Sequence, residues 1–111
     1  MTPNSSFPPF TVKLFDAVNM SADTDSDAFD IGACSLYSIQ YSWVGSSGTR
    51  SVSAQCSNDG VIWTNFDTFS ITNSDDSRML NVERAAYPFI RISYTQTTGV
   101  GDLTIVVHGK G

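Results

Sequence analysis

Ser57-Asn58-Asp59-Gly60-Val61-Ile62-Trp63-Thr64 is a chain-reversal signal set between two alternating runs. Upstream, Val52, Ala54 and Cys56 alternate with Ser51, Ser53 and Gln55, the period of a half-buried strand; downstream, Trp63 and Phe66 resume the apolar pattern. Asn, Asp and Gly tolerate positive φ, so the backbone reverses there with little strain. The stretch predicts a β-hairpin whose second strand covers residues 61–66.

The same grammar extends in both directions. Over residues 36–44, Tyr37, Ile39, Tyr41 and Trp43 share one face and Ser38, Gln40 and Ser42 the other, the strongest two-residue period in the chain. Gly45-Ser46-Ser47-Gly48 is expected to turn the chain into a strand over 50–56. Nearer the start, Phe10, Val12 and Leu14 alternate with Thr11 and Lys13, giving a strand over 10–18, and 28–31 reads as a short one. Beyond the hairpin, short strands are expected at 69–71 and 79–82. A longer one covers 89–95, where Ile90, Ile92 and Tyr94 alternate with Arg91 and Ser93. Gln96 to Asp102 is expected to close a last hairpin, with Leu103, Ile105 and Val107 lining the final strand. No stretch shows a helical repeat, and no internal repeat is apparent. The fold class expected is all-β: a single-domain β-sandwich or jelly roll of about eight or nine mostly antiparallel strands. Residues 1–9, with Pro3, Pro8 and Pro9, read as an extended N-terminal arm, and residues 10–111 as the sandwich.

Composition narrows the function. A chain of 111 residues suits one domain. With 6 basic and 11 acidic residues the formal charge is −5, which argues against nucleic acid and against anionic lipid as partners. No basic and apolar leader and no membrane-length apolar stretch is visible, so synthesis in a cytoplasm is expected. Cys34 and Cys56 fit no metal spacing and read as two thiols rather than a bridge.

Chemistry-bearing patterns are few. Nucleophilic catalysis needs a base beside the nucleophile, and the one histidine, His108, falls out of phase with the apolar residues of the last strand; it reads as a partly exposed strand residue. Neither cysteine has a basic neighbour in sequence to lower its pKa. The best candidate site is the acidic loop holding Asp23, Asp25 and Asp27, with Asp30 beyond. Alternating carboxylates are able to converge on calcium, yet the tight-turn glycine and closing bidentate glutamate of a calcium loop are missing, so the loop reads as solvated. Trp43, Trp63, Tyr37, Tyr41 and Phe66 offer flat faces for a sugar, although the alternation that aligns them assigns them to the core. No enzyme activity and no cofactor are expected.

Two groups of proteins share these motifs. Ser57 to Thr64, with Ala86-Tyr87-Pro88-Phe89-Ile90-Arg91-Ile92 downstream, resembles the S-x-D-G-x-x-W and R-Y-I-R elements of discoidin-type, galactose-binding-like jelly rolls; such domains are longer and carry a disulfide joining their ends. The ordered set Ala28-Phe29-Asp30-Ile31, Ser38 to Gly45, Gln55 to Thr64, Tyr87 to Thr95 and Gly99 to Ile105, closed by Gly109-Lys110, resembles short virion structural proteins of tailed phages over residues 10–110. That resemblance implies a capsid decoration or cement protein, located in the virion, binding the major capsid protein or other virion proteins in many copies or as a homo-oligomer. A tail or head-tail connector component is the neighbouring possibility. The discoidin likeness implies instead a module binding glycan through loops at one end. On the virion reading, Phe7, Pro8, Pro9 and Phe10 form an interface strap, with Phe7 and Phe10 as apolar anchors.

Overall fold

In the computed structural model, residues 9–32, 34, 36–83 and 85–110 are described. They form seven strands: β1 (Phe10–Asn19), β2 (Thr24–Asp25), β3 (Phe29–Asp30), β4 (Leu36–Ser57), β5 (Thr64–Ser70), β6 (Asp76–Val82) and β7 (Phe89–Lys110). All pairings are antiparallel and belong to one sheet.

The backbone of the architecture is a ribbon of two 22-residue strands, β4 and β7, paired from Leu36↔Lys110 to Ser57↔Phe89. This ribbon folds across its middle. Its register slips between Val44 and Ser47 and again between Thr49 and Arg50, the irregularities by which a strand turns a corner. Beyond the corner, β5 lies against the second half of β4 in the pairing pattern, yet its Phe69 ring sits 4.9 Å from the Tyr41 ring and 6.0 Å from that of Trp43, both on the first half. The two halves therefore face each other as layers. One layer holds β1, the end of β7, the start of β4 and β6; the other holds β2 and β3, the start of β7, the end of β4 and β5. That connectivity is a jelly roll, and the all-β sandwich read from the alternation is the observed fold.

The expected turn at Gly45 to Gly48 and the expected last hairpin at Gln96 to Asp102 are corners instead. The chain does not reverse onto itself at Gly45 to Gly48 or at Gln96 to Asp102; the segments on either side of each both pair with the opposite long strand. A glycine-rich turn signal encodes departure from extended φ, and whether that departure makes a hairpin or a bend depends on a partner far away in sequence. Counting each bent strand as one lowers the total to seven from the expected eight or nine. The strand pairs predicted as 61–66 and 69–71 merge into β5, and β2 forms within the acidic loop.

Alternation places the core as expected. Tyr37, Ile39, Tyr41, Trp43, Val52 and Ala54 of β4 and Ile90, Ile92, Tyr94, Leu103, Ile105 and Val107 of β7 are buried between the layers. Phe15, Met20, Ile31, Cys34 and Ile71 complete it, with Phe66 and Tyr87 packed at its margin. Burial of each large side chain removes it from water at a gain of about 1.5–3 kcal/mol, which is what holds the folded ribbon shut. The corner needs glycine: at Gly48 (φ +97°) an added Cβ would overlap the Thr98 carbonyl oxygen, and at Gly101 (φ +115°) it would lie 2.8 Å from the Ser46 Cα.

Candidate functional site

Folding the ribbon creates two unlike ends. At the corner end, polar groups are consumed by the fold itself. Arg50, at 7 % exposure, points inward in phase with Val52 and Ala54; its guanidinium donates to Ser46 Oγ (2.5 Å), to the Gly48 carbonyl and to the Asn73 carbonyl (3.1 Å). Trp43 Nε1 donates to the same Asn73 oxygen at 3.0 Å, the Gly45 amide to Asp75 Oδ1 at 2.7 Å, and the Ser46 amide to the Ser74 carbonyl at 2.8 Å. Tyr94 donates its hydroxyl to the Met20 carbonyl at 2.7 Å. This end is a clamp.

The acidic candidates lie here and along the adjoining edge. Asp23 Oδ1 accepts the Gln96 amide at 2.9 Å, which ties the loop after β1 to the β7 corner. Asp25 stands exposed in β2 opposite Ser93, and Asp27 is exposed beyond it. Among the described residues no three His, Cys, Asp or Glu side chains are grouped so as to hold a metal ion.

The other end is built by the loop from Ser57 to Trp63 together with Tyr87. Cys56 pairs with Thr64, so the fold-deciding stretch is a hairpin as read, but its second strand starts at Thr64 rather than at residue 61. The cause is Asp59. Its Oδ1 accepts the Val61 amide (2.9 Å), the Ile62 amide (3.0 Å) and the Ser57 hydroxyl (2.9 Å), so two amides that alternation assigned to a ladder are captured locally. Ser57 Oγ in turn accepts the amides of Asp59 (3.2 Å) and Gly60 (2.9 Å). The Ile62 and Val61 amides, followed by the Ser57 hydroxyl, hold the Asp59 carboxyl below the usual carboxylate range.

Held this way, Val61 and Ile62 project into solvent at 77 % and 73 % exposure. Beside them opens a cleft of about 420 Å³ lined by Cys56, Ser57, Asn58, Asp59, Ile62, Thr64 and Tyr87. The Tyr87 hydroxyl is fixed at 2.6 Å from that of Tyr37, and the Tyr87 ring lies 5.7 Å from that of Phe66. Burial, with the Tyr87 hydroxyl beside it, pushes the Tyr37 hydroxyl far above the ordinary tyrosine value, and burial also raises the Cys56 thiol. Cys34 and Cys56 are free thiols; Cys34 is buried and donates to the Leu36 carbonyl at 3.1 Å. Neither is set up as a nucleophile.

Other sequence candidates fall as follows. Trp63, assigned to the core by alternation, is half-exposed in the loop outside the core cluster; the Arg91 guanidinium covers its ring at 4.6 Å and donates from Nε to Gln55 Oε1 at 2.6 Å. With the chain diverted by Asp59, the tryptophan rests on the outer face of the sheet. Of the strap residues, Phe7 and Pro8 lie outside the described residues and Pro9 is exposed. Phe10 packs on its own domain, 5.3 Å from the Phe29 ring. His108 is exposed, with Nδ1 2.8 Å from Thr11 Oγ1. Sequence reasoning passed over Arg50, although an arginine in phase with Val52, Ala54 and Cys56 is the signal of a buried charge. It passed over the Asp59 lock too, whose signal is the Ser57-x-Asp59-Gly60 spacing. No helix of the described residues is long and apolar enough to cross a membrane.

No known protein family matches the chain, and no curated protein matches it. Solved structures do share its fold. The SPBc2 prophage-derived protein YomS is similar at a TM-score of 0.64 and 13% identity, covering 98% of this chain and 100% of that one. A subunit of the Bacillus endospore appendages, described as a family of disulfide-linked pili, is similar at 0.56 and 15% identity over 96% and 90% of the two chains. PirA is similar at 0.51 and 9% identity over 95% and 96%. At these identities the likeness establishes a shared all-β sandwich and nothing finer.

Proposed function

We propose that this chain is a structural protein of a tailed-phage particle, a decoration or cement protein that binds the capsid exterior in many copies, and that it performs no catalysis. The observation that carries the reading is the loop end, where two aliphatic side chains stand in water on a loop whose own hydrogen bonds hold them there. The exposure of Val61 and Ile62 adds nothing to the buried core, whereas a binding protein gains a contact already ordered before it meets its partner. The phage assignment draws on the ordered motif set and on the end-to-end likeness to a prophage-derived protein of the same extent. A surface contact of the usual size, about 1,200–2,000 Å² in total, suffices when symmetry repeats it over a lattice.

The test is to purify particles from cells carrying the gene and to locate the chain by imaging. Regular copies on the capsid surface are the expected result. Density confined to the tail or neck would move the protein to a tail or connector role, and absence from purified particles would end the proposal.

A further inference from the structure

We infer that the loop end is a protein-docking site in which the Asp59 carboxylate receives a lysine or arginine side chain of the partner, while Val61 and Ile62 seat against apolar residues flanking that cation. The inference deepens the structural-protein reading by naming the chemistry of the partner surface.

The carboxylate is half used. The Ser57 hydroxyl and the Val61 and Ile62 amides converge on Oδ1, the amide of Asp59 itself also favours the charged carboxylate, and no other residue among those described bonds Oδ2. Among the described residues Asp59 has no cation of its own: their ion pairs are Lys13 with Asp16 and Arg78 with Asp67. Arg91, on the neighbouring sheet face, is engaged by Gln55 and Trp63. A fixed acceptor thus stands at a cleft that also offers the Asn58 amide and the Thr64 hydroxyl, with Ile62, Cys56 and Tyr87 as apolar wall. That lining matches a long cationic side chain, whose methylene stem lies on apolar surface while its head reaches a carboxylate.

Two further features select the same partner. The chain's formal charge of −5 favours encounter with a basic surface. Ile62 in the cleft lining, with Val61 next to it in the chain, would exclude water from the ion pair once covered by the partner, which strengthens it relative to an open surface pair. Among the described residues, the cleft lining contains no lysine, arginine or histidine to serve as counter-charge for a phosphate, a sulfate or an anionic lipid headgroup.

The experiment is an amide-resolved NMR titration of the full chain with n-butylguanidinium, guanidinium and methyl β-galactoside. Butylguanidinium is expected to shift the amides of Asp59, Gly60, Ile62 and Thr64 saturably and to bind more tightly than guanidinium. Asp59→Asn keeps the Oδ1 acceptor and therefore the loop, and should weaken butylguanidinium by about fivefold. Ile62→Ser should bring butylguanidinium down to the affinity of guanidinium. An unchanged affinity in Asp59→Asn would overturn the inference, as would an equal response at Asp25 and Asp27 or saturation by the galactoside without the cation. Because the titration involves no particle, its failure and absence of the protein from virions are separate results.

Discussion

The corner end and the loop end are made from the same residues, small polar side chains, aspartates and glycines, yet they use them in opposite ways. At the corner, Asp23 and Asp75 each accept a backbone amide of another segment, so their polarity closes the fold. At the loop end, Ser57 and Asp59 bind only their own loop, and the outcome is a rigid projection with one carboxylate oxygen to spare. An aspartate is a stability element where its partners are distant in sequence and a display element where they are local. Substitutions should therefore cost stability at one end and binding at the other.

The largest effect is expected at Gly48. Alanine there would need the Thr98 carbonyl to move, so Gly48→Ala should cost about 3 kcal/mol or more in urea denaturation. Gly45→Ala, at φ +63° with open space around it, should cost only about 1 kcal/mol. Equal costs would mean that the corner is not tightly packed. Next, Arg50→Met leaves Ser46 Oγ and the Gly48 carbonyl without the guanidinium and the Asn73 carbonyl with Trp43 Nε1 alone, and should lower stability by about 2 kcal/mol by the same assay. Tyr41→Phe, which removes the hydroxyl donated to Asp67 Oδ2 at 3.0 Å, should cost about 1 kcal/mol.

At the other end, Asp59→Ala should leave the melting temperature nearly unchanged while the Val61 and Ile62 amide resonances move and lose dispersion; a large drop in melting temperature would erase the distinction between the ends. The smallest effect is pH-dependent. The Asp59 carboxyl is held below its ordinary value of 3.8, so its share in ordering the loop is complete above that value and is lost as pH falls through the lowered one. The Val61 and Ile62 amide shifts should titrate with a midpoint below 3.8, and a midpoint at or above it would show that these bonds do not form in solution.

Much of this was legible beforehand, and the exceptions have a common cause. The inward set from Tyr37 to Trp43 and from Ile90 to Tyr94 followed from alternation because an extended backbone alternates its side chains wherever it lies. Gly45 to Gly48 was legible as a break in that pattern and illegible as a corner, since what distinguishes the two is the pairing of Trp43 with Leu103 and of Ala54 with Ile92. Val61 and Ile62 read as strand because β-branched residues suit strands; one carboxylate two residues upstream outweighed that preference by taking their amides. The acidic loop drew attention by spacing alone, whereas Asp23 is held by Gln96, 73 residues away.

What the amino-acid sequence determined by itself is which side chains go inside and where the extended runs break, because both are properties of a few consecutive residues. Which runs lie side by side, how the long ribbon doubles over, and therefore where the cleft and its carboxylate stand were decided by tertiary structure, because antiparallel partners such as Ile39 and Val107 meet only when the core they share is buried.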